Sequence, residues 1–180
     1  MELALPETER LYFRPHQPED LEAFCRMEAD PGFRRYVGGR PRLREEAEKR
    51  FMNTLKPATG PLGMWATVYK PDNQYIGRCG VYQHMNADGQ PVWGEGALGL
   101  YIDPPYWGRG LATEAGAAFV AFGLEQINLQ RVVTAIDARN DVSVRVIEKL
   151  GFGLDWKEEG EFRSFYHYVL ERESYLKKKY

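Results

Sequence analysis

Tyr101-Ile-Asp-Pro-Pro-Tyr-Trp-Gly-Arg-Gly-Leu-Ala-Thr-Glu-Ala115 is the stretch whose reading decides the fold. The apolar run Leu98–Ile102 reads as a strand. It stops at Pro104-Pro105, because proline has no ladder N–H and restricts the residue before it. Gly108, Arg109 and Gly110 follow, and Leu111 opens a strong helical run. Strand, glycine turn and helix N-terminus, in that order, build an anion site. The first N–H groups of a helix lack internal partners and carry the positive end of its dipole, and glycines let a phosphate come close to them. Two readings fit the turn taken alone: a seat for a diphosphate-bearing cofactor, and a plain tight connection.

On either side of this stretch the chain divides into short elements. Arg10–Arg14 reads as a strand ended by Pro15. Pro18-Glu-Asp opens a helix with Leu21, Phe24, Cys25 and Glu28 at helical spacing, ended by Pro31-Gly32. Phe33–Pro41 reads as irregular, Leu43–Leu55 as a charged amphipathic helix, and Pro57–Gly63 as a loop. Met64–Tyr69 and Tyr75–Tyr82 flank a Pro-Asp-Asn turn and form a hairpin, and a third strand runs from Trp93 to Ile102. After the helix Leu111–Gln126 come a strand Arg131–Asp137, a helix Val142–Leu150 closed by Gly151, and strands Phe152–Lys157 and Phe162–Glu171. The tail Leu176–Tyr180 reads as loose.

The expected fold is α+β: a mixed, mostly antiparallel central sheet with helices on both faces, formed by one domain spanning residues 1–180. The unit around Leu111 should be a parallel crossover, and ligands favour the cleft where such strands part, at their C-terminal ends.

Bulk properties narrow the function. The chain has 180 residues, and 24 Lys+Arg against 26 Asp+Glu leave a net charge of −2, which gives no reason to expect nucleic acid or an anionic membrane. No apolar run approaches the ~20 residues of a membrane span. The acidic N-terminus lacks the form of a signal peptide, so a cytoplasmic location is expected. Cys25 and Cys79 have no ligand-like spacing and read as buried thiols, without disulfide or metal.

The second landmark is Ala138-Arg-Asn-Asp-Val-Ser-Val-Arg-Val-Ile-Glu-Lys-Leu-Gly-Phe152. By itself it is a capped helix, with Asn140 as the cap and Ser143 beside it. Together the two landmarks resemble the GNAT acetyltransferase superfamily, and within it the RimJ/RimL-like group that acetylates protein N-termini and small amines. The resemblance spans about Arg10 to Tyr175. The family's pyrophosphate pattern falls on Trp107-Gly-Arg-Gly-Leu-Ala112, with Trp107 at its first, departing position. Asn140 and Ser143 match the Asn-x-x-Ser of the RimL-like branch.

The resemblance implies acetyl-CoA as co-substrate and no metal. Its pyrophosphate would rest on the N–H groups of Trp107, Gly108, Arg109, Gly110, Leu111, Ala112 and Thr113. Its pantetheine arm would pair with Tyr101 and Ile102 and lie beside Asn140. Two departures bear on mechanism. Ile147 stands where many relatives carry a tyrosine that protonates the thiolate, which leaves Ser143 as the candidate near the sulfur. Ala97 stands where many carry a glutamate; Glu95, on the same strand face, either reaches the cleft through water or is a solvated carboxylate.

For the acceptor, Tyr36 lies in a segment that folds over it in relatives. His84 closes a strand beside the expected cleft, and is either a surface group or a base. Tyr166 and His167 lie on a late strand whose counterpart faces the acceptor in relatives. Trp65, Tyr82, Trp93 and Tyr166 either wall a pocket or are plain core, and His16 reads as surface. The implied activity is direct acetyl transfer from acetyl-CoA to a primary amine, of a protein N-terminus or a small molecule. The competing reading is a non-catalytic acyl-CoA sensor on the same fold. An ATP site fits poorly, since Gly-Arg-Gly is not a P-loop. A homodimer is left open.

Overall fold

A computed structural model describes residues 4–57 and 60–179. Residues 58–59 of the expected loop and the terminal Tyr180 lie outside the described residues. Seven strands form one sheet: β1 (Leu11–Arg14), β2 (Trp65–Tyr69), β3 (Gln74–Met85), β4 (Pro91–Ile102), β5 (Arg131–Asp137), β6 (Gly153–Glu158) and β7 (Phe165–Glu171), in the order β1-β2-β3-β4-β5-β7-β6. Every neighbouring pair is antiparallel except β4 and β5. That pair is joined through α4 (Leu111–Ala121), as the spacing of Leu98–Ile102, the glycine turn and Arg131–Asp137 predicts. This is the expected α+β fold.

Side-chain alternation assigns the two faces of the sheet. On one face Cys79 and Val81 of β3, Leu98 and Ile102 of β4, and Val132 and Ile136 of β5 pack against Leu111, Ala115 and Phe119 of α4 and Ile147 of α5 (Asp141–Lys149). On the other face α1 (Leu21–Ala29) and α3 (Arg44–Thr54) place Phe24 and Phe51 on Ala66 and Tyr75. Burying an aromatic side chain of this kind is worth about 1.5–3 kcal/mol. The second cluster is small, and it leaves room over β3 and β4 for a cleft.

Three expectations need correction. The region after α1 is not irregular from Phe33: Asp30 accepts the Phe33 N–H at 2.7 Å and caps a one-turn helix, α2 (Pro31–Arg34), that Pro31 begins. The tail is not loose either. It forms α6 (Arg172–Lys179), held by Arg172 Nε on the Leu124 carbonyl at 2.7 Å and by the Tyr175 hydroxyl on Glu125 at 2.6 Å. His16 is buried rather than superficial, at 7% exposure between the rings of Phe51 and Tyr75.

Candidate functional site

The β4–β5 ladder is short. It pairs Glu95 with Arg131, Gly96 with Val132 and Ala97 with Val133, and a last tie runs from Thr134 Oγ1 to the Leu98 carbonyl at 3.1 Å. Beyond Leu98 the two strands part, while β4 stays paired with β3 through Ile102. A strand's main-chain groups alternate sides, so the Leu98 tie assigns the open edge to Leu100 and Ile102. Tyr101 is turned the other way: a Cβ on Gly77 of β3 would lie 2.0 Å from the Tyr101 carbonyl oxygen. Of the expected strand-end pair, Ile102 therefore turns its N–H to the cleft, its carbonyl being taken by the Trp107 indole, and Tyr101 offers its ring. Leu100, which the sequence reading omits, is the second main-chain position on the open edge.

The turn beyond β4 is built for an anion. Gly108 and Gly110 both take left-handed backbone, at φ 73° and 78°, and Gly110 is the N-cap of α4. The first helical bond runs from the Glu114 N–H to the Gly110 carbonyl, and the Trp107 N–H is taken by the Pro104 carbonyl. Among the described residues, the N–H groups of Gly108, Arg109, Gly110, Leu111, Ala112 and Thr113 meet no acceptor. Six converging donors at a helix start fit a pyrophosphate. Trp107, expected to donate there by its backbone, instead ties the turn to β4 through its indole N–H on the Ile102 carbonyl at 2.6 Å. Glu114, in the first turn of α4, receives Arg10 Nε at 2.7 Å and Thr8 Oγ1 at 2.6 Å, which fixes the turn against the N-terminal segment.

Across the split, Asp137 ends β5 and is held by the Arg139 guanidinium at 2.9 and 2.7 Å; those bonds keep its carboxyl below the usual range against the opposing effect of burial. Asn140 caps α5, its Oδ1 accepting the Ser143 N–H at 3.2 Å. The Ser143 hydroxyl makes no hydrogen bond among the described residues and is half-buried. Ile147, in the tyrosine's place, is core at 4% exposure.

On the α1–α3 face, Glu95 is not a solvated carboxylate. It is 8% exposed and accepts Arg131 Nε at 2.6 Å, while its other oxygen lies 2.8 Å from His84 Nδ1. Burial raises its pKa, but the bonds from Arg131 and His84 outweigh burial and hold it low. His84 and Glu95 thus form one unit, joined across eleven residues of sequence.

A cleft of about 330 Å³ opens on the same face, with Tyr82, Tyr101 and Met64 along the sheet and Val37 and Gly38 over it; neither His84 nor Glu95 is among its lining residues. Tyr36 adjoins this lid and is half-buried, with the Arg35 guanidinium 5.3 Å from its ring. His167 keeps to the same sheet face, opposite Ala135, but is stacked on Trp156 at 3.8 Å and bonded to Glu158 at 2.8 Å. Tyr166 points to the other face and packs against the α4–α5 core, as strand alternation next to His167 requires. Trp65 is core and Trp93 is 84% exposed, so with Tyr166 on the other face only Tyr82 of the four candidate wall aromatics lines the cleft.

The pattern of the acetyltransferase (GNAT) domain family matches residues 10–153. An uncharacterized N-acetyltransferase, p20, of Bacillus licheniformis is 23% identical over 160 residues, covering 88% of this chain and 85% of that protein. A GNAT-family acetyltransferase structure from Bacillus anthracis superposes with a TM-score of 0.80 at 19% identity, covering 94% of this chain and 99% of that one. Spermidine N-acetyltransferase from Vibrio cholerae, solved with CoA and spermine, does so with a TM-score of 0.75 at 15% identity and the same coverage.

Proposed function

The chain belongs to the GNAT acetyltransferases, and from that premise we propose that it moves the acetyl group of acetyl-CoA directly to a primary amine, in the manner of the RimJ/RimL-like group. The observation that carries the proposal is the row of N–H groups from Gly108 to Thr113, unpaired among the described residues, at the end of a strand that has just parted from its neighbour. Acetyl-CoA would supply the thioester. The donors of the glycine turn hold its pyrophosphate, and the main chain of Leu100 and Ile102 aligns the pantetheine arm as an added strand would. The Asn140 amide flanks that arm.

Transfer needs alignment, a donor for the developing oxyanion, and removal of a proton from the amine. The Leu100 N–H on the open edge serves the oxyanion. Glu95 orients His84 through Nδ1, which leaves Nε2 as the proton acceptor, the base-and-orienter arrangement in which a carboxylate fixes the tautomer. The Ser143 hydroxyl, without another bond among the described residues, is a hydrogen-bond donor to the departing thiolate. Small amines are the acceptors favoured by the 330 Å³ cleft. The testing experiment follows thiol release from acetyl-CoA with a panel of amines.

A further inference from the structure

Four arginines line the cleft: Arg34, Arg42, Arg50 and Arg78. One carboxylate, Glu28, answers them. It is fully buried on α1 and receives Arg78 Nη2 at 2.7 Å, Arg42 Nε at 2.9 Å and Arg34 Nη1 at 3.2 Å. Its two oxygens are thereby committed to three guanidinium groups. Arg50, reaching in from α3, has no carboxylate within ion-pair distance among the described residues. Partial desolvation and the charges of Arg42 and Arg78 push Arg50 below its usual pKa.

These side chains are held in place rather than waving in solvent. Arg34 is 3% exposed and gives its Nε to the Arg40 carbonyl at 3.0 Å. It passes beneath Gly38, at φ +88°, where any Cβ would fall 2.0 Å from Arg34 Nη2; glycine at that lid position is what admits the guanidinium. Arg78 is 6% exposed and stands between the rings of Phe24 and Tyr101, at 4.7 and 4.9 Å. Its Nη1 is closed off from solvent and has no hydrogen-bond partner among the described residues. Four guanidinium groups against one carboxylate leave the cleft an excess of positive charge that a bound anion would offset.

We propose that the acceptor amine carries an anionic group, a carboxylate or a phosphonate or phosphate, that seats on Arg78, Arg50, Arg42 and Arg34. Arginine's planar fork suits all of these anions. The inference rests on the acetyl-transfer reading above and names the substrate class for it. The cleft's volume is at the low end for ligand pockets, about 300–1,000 Å³, so the acceptor is a small acidic amine. A polyamine would bring positive charge against positive charge.

Isothermal titration at saturating CoA, which keeps the phosphate seat occupied, compares 2-aminoethylphosphonate and β-alanine with neutral ethanolamine and cationic putrescine. At least one of the two acids should bind tenfold or more tighter than ethanolamine, and which one does so separates phosphonate from carboxylate. Arg50→Gln should lower that affinity about tenfold and leave CoA affinity unchanged. Binding of ethanolamine or putrescine as tight as that of the acids, or no binding by either acid, overturns the inference. Preferred acetylation of putrescine overturns it too, while leaving acetyl transfer intact. Absence of CoA binding strikes at the acetyl-transfer reading instead.

Discussion

The indole N–H of Trp107 donates to the carbonyl oxygen of Ile102 at 2.6 Å, fastening the glycine turn to the last residue of β4. The two halves of the cofactor seat, the strand edge and the helix start, are held together by this bond. Trp107→Phe keeps an aromatic ring there and removes the donor. A net hydrogen bond is worth about 0.5–1.5 kcal/mol, so CoA affinity should fall about two- to tenfold with little change in Tm. Titration calorimetry of Trp107→Phe against the unsubstituted chain measures the affinity, and a thermal melt measures Tm.

Gly110→Val tests the turn itself. A β-branched residue at φ 78° is strained by about 1–2 kcal/mol, and its side chain crowds the approach to the N–H groups. CoA affinity should fall more than tenfold while the circular dichroism spectrum keeps its native shape. Unchanged affinity would remove the pyrophosphate from this turn.

Glu95 ties β4 to β5 through Arg131 and orients His84. Glu95→Gln and His84→Gln should each lower kcat about a hundredfold and leave CoA affinity within twofold. Arg131→Gln should lower Tm with a much smaller effect on kcat. Equal losses of kcat in all three variants would make the pair a strut between strands and nothing more.

His16 gives a pH signature. Burial lowers its pKa from 6.5 to about 4. The unfolded chain therefore binds a proton between those values that the folded chain refuses, so stability falls as pH drops from 6.5 to about 4. His16→Phe should flatten that part of the profile in urea melts taken at successive pH values. An unaltered slope would place His16 in water.

The organisation around the glycine turn was legible because its signals are local. Pro104-Pro105 ends a strand, two glycines allow left-handed backbone, and an alanine-rich run follows. Asn140 was legible for the same reason, since its cap reaches only three residues. The short helix at Pro31 carries a local signal too, Asp30 as cap with proline first. Other features depend on distant partners. Whether Leu100 or Tyr101 turns its backbone to the cleft follows from register with β3 and with β5. The burial of His16 comes from Phe51 and Tyr75, and α6 is held by residues some fifty positions earlier. The arginine cluster left one trace: Glu28, at helical spacing with Phe24 and Cys25, places a carboxylate on a buried face, and a buried carboxylate calls for cationic partners. A net charge of −2 over the whole chain hides a locally cationic cleft.

The most direct test is thiol release from acetyl-CoA, followed with a thiol reagent while a broad amine panel is screened and the products are weighed by mass spectrometry. Direct transfer predicts one thiol released for each acetylated amine, with the rate at subsaturating acetyl-CoA falling steeply in Gly110→Val. CoA binding at the glycine turn with no thiol release from any amine in the panel would contradict it, and would make the protein a sensor of acyl-CoA.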